Sequence, residues 1–257
     1  MSGINFLSDN LLNSAVVSIT TGTENAQFPL SNIKNDSTAK KFRSVGNTVV
    51  ILLDLQQFRD VDTFAIAGDA TGTFGITAAS IKTSLTTDFT SAVAIPIDLY
   101  GEQNLGYAFF TEASPRYVEV TLTGTGSFCE VGTFFVGKRI NLPLNSFSIG
   151  SFRYGYDDLS DVKQNKYGTR FIDELPLRKT LRGTIQYATK EEQEILDDMF
   201  IFNGTTRPLW VILDPDSEAL NNGASKLTMY SYMVDMPQWS ADGGQLYTAQ
   251  IRLEQAV

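Results

Sequence analysis

The chain has 257 residues, of which 42% are hydrophobic and 19% are charged, a composition typical of a folded globular protein. Its 29 acidic and 20 basic residues give a formal net charge of −9, which argues against a surface that binds nucleic-acid phosphates. The chain contains no histidine and one cysteine, so histidine-dependent catalytic triads, ordinary zinc sites and an internal disulfide are excluded.

The sequence also bears on the compartment of the protein. No apolar run reaches the roughly 18 residues that a membrane-spanning helix needs, so we expect no membrane insertion. The N-terminus lacks the basic segment and the apolar core of a signal peptide, so we expect synthesis in the cytoplasm without export by the usual route. The single cysteine, Cys129, lies in an apolar stretch and is predicted to be a small core residue rather than a nucleophile.

In chain order, residues 1–137 consist of short apolar and β-branched segments between turn residues. The central pair is the unbroken apolar run 49–53 and a second apolar segment around 64–66, joined by the polar bend 56–60. Further strands are predicted at 16–19, 78–84, 92–99, 107–111, 116–122 and 128–136, and Pro96 places its strand at a sheet edge. Many short strands without a helical pattern predict an antiparallel β-sandwich, which we expect to fold on its own.

Residues 138–257 are predicted to form a second, β-rich unit. We interpret 150–168 as one long loop or a loose hairpin and 171–187 as a strand pair. Further strands are predicted at 207–213, 228–235 and 247–254.

One helix, 189–203, is predicted within this second unit. Thr189 and Glu192 have the spacing of a capping box at its start, and Gly204 provides the stop signal at its end. The spacing of its apolar residues predicts a buried face made of Ile195, Leu196, Met199 and Phe200.

The segment around 150–168 concentrates side chains that are frequent at protein interfaces. Tyrosine and arginine offer broad contact area with both apolar and polar parts. A protein interface and ordinary packing within the unit are both compatible with this pattern. The candidate interface residues are Phe152, Arg153, Tyr154, Tyr156 and Tyr167.

Two acidic groups raise the question of a calcium site. Asp214, Asp216 and Glu218 stand at alternate positions, but the full twelve-residue calcium-loop pattern is missing, which favours an acidic turn between strands. The group Asp157, Asp158 and Asp161 leads to the same conclusion. We therefore predict no metal, no cofactor and, since no catalytic constellation is present, no enzymatic activity.

Several segments of residues 1–137 follow the order and spacing of a known fold. They are KFRS at 41–44, LLDL at 52–55, VDTFAIAG at 61–68, PRYVEVTL at 115–122 and VGTFFVGK at 131–138. Together they cover about half of the chain and resemble the discoidin-like, galactose-binding-like β-sandwich of tailed-bacteriophage virion proteins. The remaining half, through 183–214 and 247–254, looks like the C-terminal part of phage distal-tail and tail-tip proteins.

This resemblance implies a mainly β protein, with an N-terminal jelly-roll-like antiparallel β-sandwich and a C-terminal β-rich unit with one α-helix. It also implies a structural role in the virion. The C-terminal unit would form a ring at the distal tail, in the tail tip or baseplate, with sixfold symmetry favoured and threefold possible. Its neighbours would be tail-tube and tail-hub proteins. The sandwich would decorate the outside.

A ring around the DNA channel leads to an expectation about charge. A basic inner wall would hold DNA phosphates, whereas excess carboxylates repel them and let the genome slide. We therefore expect the C-terminal unit to present Asp157, Asp158 and Asp161 to the channel. The alternative is that these acidic residues lie on the outside and keep the surface soluble.

The alternative function is a carbohydrate-binding module for attachment to the host surface, with Asn35 and Arg43 as candidate glycan contacts. The loop 32–44 departs from glycan-binding members of the fold because its only aromatic residue is Phe42, which is equally suited to the core. A third hypothesis is an enzyme that acts on cell-wall glycans.

Overall fold

The computed structural model describes residues 3–68, 75–100, 104–124, 126–143, 153–164, 170–173, 175, 177–213, 228–243 and 246–256. The chain divides into two compact units, residues 5–140 with the last two residues, and residues 141–255 with the first four. The described part is mainly β-strand with one α-helix, which confirms the predicted fold class. No helix in these ranges is long and apolar enough to cross a membrane.

The described residues up to 143 form thirteen strands and two short 3-10 helices, at Leu11–Asn13 and Leu30–Lys34. The strands are β1 (Gly3–Leu7), β2 (Val16–Thr21), β3 (Phe42–Arg43), β4 (Thr48–Asp54), β5 (Val61–Ala67), β6 (Ile76–Ser84), β7 (Ile95–Pro96), β8 (Asp98–Tyr100), β9 (Leu105–Ala113), β10 (Tyr117–Gly124), β11 (Glu130–Val131), β12 (Thr133–Gly137) and β13 (Ile140–Pro143).

The N-terminal unit is a sandwich of two antiparallel sheets. One sheet has the strand order β2-β4-β10-β6-β7 and the other β12-β5-β9-β8, while β3 and β11 form a separate two-stranded ladder. Side chains from both sheets share one apolar core, among them Ile51 of β4, Val120 of β10, Phe64 of β5 and Phe134 of β12. Cys129 belongs to the same core, as predicted.

The two central strands lie in different sheets. All seven residues of β5 are buried, as expected for a strand covered on both faces. In β4 burial alternates instead, with Val49, Ile51 and Leu53 buried and Val50 and Leu52 only partly covered. The polar bend between the two strands therefore carries the chain from one sheet to the other.

Two predicted strands are interrupted for identifiable reasons. The predicted strand 92–99 becomes β7, at the edge of one sheet as Pro96 required, and β8, at the edge of the other. The predicted strand 128–136 is split at Gly132. A Cβ atom there would lie 2.9 Å from the backbone oxygen of Thr38, so the close approach of that loop requires glycine.

In the part of the C-terminal unit that the structure describes, there are eight further strands and the helix α1 (Lys190–Asn203). The strands are β14 (Arg153–Asp158), β15 (Asp161–Gln164), β16 (Arg170–Asp173), β17 (Leu177–Ala188), β18 (Leu209–Leu213), β19 (Met229–Met233), β20 (Trp239–Gly243) and β21 (Leu246–Gln255). The large sheet has the order β13-β1-β18-β19-β21-β17-β14, with β20 paired to one end of β21.

The interpretation of 150–168 as one long loop or a loose hairpin is wrong, and the two strands predicted within 171–187 do not pair with each other. The first segment forms β14 and β15, and β14 pairs with β17 rather than folding back on itself. The second forms β16, which pairs with β15, and β17, which pairs with β21. These partners are set by tertiary contacts, which local alternation of residue types does not reveal.

The helix forms as predicted. Thr189 accepts a hydrogen bond from the backbone N–H of Glu192, and the Glu192 side chain accepts one from the backbone N–H of Thr189, completing the capping box. Its buried face contains Leu196, Met199 and Phe200. Ile195 was predicted to lie on this face, but it is 51% exposed, because its side chain projects from the helix away from the sheet.

We expect that replacing Leu196 or Phe200 with alanine lowers the free energy of unfolding by about 2–5 kcal/mol, because each side chain is fully buried. Ile195→Ala is the matched control and should change it by less than about 1 kcal/mol. Urea unfolding followed by circular dichroism measures all three variants. Equal midpoints for the three would contradict the described packing of the helix.

A buried lysine makes the stability of the C-terminal unit depend on pH. Lys179 is 4% exposed, and its Nζ donates to the backbone oxygen of Thr228 at 3.4 Å. Burial lowers the pKa of Lys179 from 10.5 to about 8. Between these values the unfolded lysine holds a proton that the folded one has released, so stability increases as pH increases through this window.

We expect this gain to approach about 3 kcal/mol between about pH 8 and pH 10.5. Lys179→Met should abolish it, while Lys190→Met, at an exposed lysine of α1, should retain it. Urea unfolding over this pH range is the measurement. A parent protein and a Lys179→Met variant with the same pH dependence would refute the assignment.

Candidate interaction surface

The strand β14 lies at one end of the large sheet. One edge of β14 pairs with β17, where Tyr154 lies opposite Leu181 and Tyr156 opposite Lys179. Along its other edge, no strand from the described ranges is hydrogen-bonded to it. An edge of this kind presents backbone N–H and C=O groups that can pair with a strand from another chain.

Exposed apolar side chains accompany this edge. Tyr154 is 50% exposed, Tyr156 is 55% exposed and Leu177, on the neighbouring strand, is 58% exposed. The register places all three on the same face of the sheet, because each stands an even number of residues from the Tyr154–Leu181 pair. The structure therefore gathers two of the predicted interface residues into one exposed patch.

The other predicted interface residues have different positions. Arg153 is exposed at the start of β14 and points to the opposite face from Tyr154. Phe152 and Tyr167 lie outside the described residues. The interface role of all five residues stays a prediction.

The three acidic candidates for the channel wall do not share one face. Asp157 is half-buried and lies opposite Arg178, whereas Asp158 is exposed and points to the other face of β14. Hydrogen bonds from the side chain and backbone of Ser160 hold the pKa of Asp158 below its usual value. Asp161 begins β15, where its backbone lies opposite Asp173. Their predicted place in a channel stays a prediction.

A second cluster, which we call the loop cluster, lies in the N-terminal unit around the carboxylate of Glu130. Arg43 Nε donates to Glu130 Oε2 at 2.7 Å, and Arg43 Nη2 donates to the same oxygen. Lys41 Nζ donates to Glu130 Oε1 at 3.0 Å. The Arg43 guanidinium also lies 4.5 Å from the ring centre of Phe28 and 4.4 Å from that of Phe128.

The loop cluster changes the interpretation of the predicted glycan contacts. Two nitrogens of Arg43 are used by Glu130, so this arginine links the strands β3 and β11. Asn35 accepts a hydrogen bond from the backbone N–H of Ser37 at 3.3 Å, within its own loop. Phe42 is fully buried and belongs to the core. A glycan role for Asn35 and Arg43 stays a prediction.

Sequence reasoning did not identify Phe28, Phe128 and Glu130 as members of one cluster. Arg43 and Glu130 are 87 residues apart in the chain and meet through the ladder of β3 and β11. Phe128, which is 36% exposed, gives the cluster an aromatic surface. In the sequence, the only hint of this cluster was that Phe128 stands close to turn-forming glycines. That pattern is common in loops of many functions.

Neither a metal site nor a reactive thiol is found in the described part of the chain. It contains no group of three or more acidic, histidine or cysteine residues that could hold a metal ion. Asp214, Asp216 and Glu218 lie outside the described residues. Burial raises the pKa of the Cys129 thiol, which keeps it protonated and unreactive at neutral pH.

No protein-family model matches the chain, and no curated protein matches its sequence. Among solved structures, it is similar to a family 32 carbohydrate-binding module from a family 31 glycoside hydrolase of Clostridium perfringens, with 13% identity over 51% of this chain and 99% of that one and a TM-score of 0.43.

Two further structures have similar values. The family 32 carbohydrate-binding module of C. perfringens NanJ, solved with galactose, is 16% identical over 51% of this chain and 98% of that one, with a TM-score of 0.41. The lectin domain of lectinolysin, solved with Lewis B antigen, is 11% identical over 51% and 96%, with a TM-score of 0.43. Because identities and TM-scores are this low, the function of the chain has to be argued from its own residues.

Proposed function

We propose that the chain is a structural protein of a bacteriophage tail that assembles into a ring at the distal end of the tail. The observation that carries this proposal is the edge of β14, with its exposed Tyr154 and Tyr156. The resemblance of the chain segments to phage virion and distal-tail proteins supplies the biological context. On this proposal the protein resides in the virion tail and contacts tail-tube and tail-hub proteins.

The order of strands in the large sheet suits assembly in a ring. Its two end strands are β14 and β13, which differ in sequence and length. Contact between two different edges of successive copies is heterologous, and such contacts close into a ring when the rotation between copies permits. The proposed ring is sixfold, with threefold as the alternative.

We expect the full chain to self-associate and the variant Tyr154→Lys/Tyr156→Lys to associate at least tenfold more weakly. Lysine on an edge strand opposes strand pairing and removes the apolar contact. Sedimentation measures the association, and negative-stain images show whether the assemblies are rings.

The control for this experiment is Phe58→Lys, because Phe58 is 64% exposed and lies in the N-terminal unit. It should associate like the parent protein. A parent protein that stays monomeric at every accessible concentration would rule out the ring. Rings that are indifferent to the β14 variant would move the interface elsewhere.

The second candidate function, glycan binding by the N-terminal unit, is favoured by the loop cluster. Sugar sites combine an aromatic surface with fixed polar groups, and Phe128 lies beside the charged groups of Arg43, Lys41 and Glu130. In this hypothesis Glu130 orients Arg43, and the sugar packs on Phe128.

We expect that a glycan array probed with the full chain would give bound sugars only if this second function is correct. Phe128→Ala should then lower the affinity for a bound sugar at least tenfold, because the aromatic surface is lost. Phe58→Ala, at another exposed phenylalanine, should leave the affinity unchanged. An array without bound sugars, or equal losses in the two variants, would exclude the loop cluster as a sugar site.

A further inference from the structure

Three arginines stand side by side on the polar face of the large sheet. Arg153 of β14 lies directly opposite Arg182 of β17, and Arg182 lies directly opposite Arg252 of β21. Side chains paired in this way project from the same face, and neighbouring strands are about 4.8 Å apart, so the row is about 10 Å long. We call these three residues the arginine row.

The fold itself does not account for the arginine row. Like charges directly opposite each other destabilise a sheet. Arg252 Nη2 lies 3.8 Å from Glu254 Oε1, but the other oxygen of that carboxylate is 2.8 Å from Arg178 Nη1. Among the described residues, no ion pair involves Arg153 or Arg182, and both are exposed. The buried Nε of Arg252 has no hydrogen-bond partner there.

The arginine row lines an open cavity of about 950 Å³. The other polar groups around it include Gln238, Ser240, Gln250 and one carboxylate, Asp235. A cavity of this size holds a drug-sized ligand or a few residues of a peptide. Its polar lining suits a charged or polar ligand rather than an apolar one.

We infer that the arginine row binds a short carboxylate-rich segment of a protein partner. The planar guanidinium matches a carboxylate through two parallel hydrogen bonds, so adjacent arginines can hold successive carboxylates. A nucleic acid fits less well, because its evenly spaced phosphates continue beyond the row and meet Asp235 and Glu254, whereas a short segment ends with the row. This inference does not depend on the proposed ring.

The test measures binding of fluorescein-labelled hexaglutamate to the full chain by fluorescence anisotropy. We expect saturable binding that weakens as salt is raised. Arg182→Gln should lower the affinity at least tenfold, and Arg182→Lys should lower it less, since the charge remains while the paired hydrogen bonds are lost. Arg59→Gln, which removes the same charge from an exposed residue of the N-terminal unit, should leave it unchanged.

Urea midpoints equal to that of the parent establish that each variant is folded, and Arg153→Gln provides a second variant if Arg182→Gln fails this check. Absence of hexaglutamate binding would overturn the inference. Equal losses in Arg182→Gln and Arg59→Gln would mean that net charge alone attracts the peptide. Tighter binding of a labelled eight-nucleotide oligothymidine, lost in the same variants, would assign the row to phosphates instead.

Discussion

The C-terminal unit depends on the pairing of β17 with β21. This register places Leu181 opposite Leu253 and Ile185 opposite Ala249, so their side chains fill the core face of the sheet. Since side chains alternate between faces, the same register places Arg182 opposite Arg252 on the other face. A shift of β17 by one residue would bury Arg182 and expose Leu181 and Ile185, so the core and the charged surface are determined together.

The N-terminal unit combines an apolar core with one charged cluster in its loops. The core is continuous between its two sheets and also includes Phe42 of β3 and Val131 of β11. Beside this core, the carboxylate of Glu130 is 9% exposed and accepts hydrogen bonds from Lys41 and Arg43. Removing Glu130 would leave the partly desolvated guanidinium of Arg43 without this carboxylate, which is more costly than the loss of an exposed ion pair.

The distribution of charge carries more information than its sum. The net charge of −9 argues against a nucleic-acid surface, yet the polar face of the large sheet presents three adjacent arginines. The open edge of β14 and the arginine row are next to each other, because Tyr154 and Arg153 are consecutive residues that point to opposite faces. A partner strand at that edge would extend the sheet in its own plane, whereas an acidic segment would lie on one of its faces.

The sequence by itself determined the features that depend on neighbouring residues. The short segment 116–122 predicted β10, and the capping box predicted the start of α1 at Thr189. Tertiary structure decided the features that depend on distant residues. Arg153, Arg182 and Arg252 are isolated in the sequence and become neighbours only through strand pairing, and Arg43 meets Glu130 across 87 residues. Local propensity carries no information about which strands pair, because that choice is made by packing across the whole sheet.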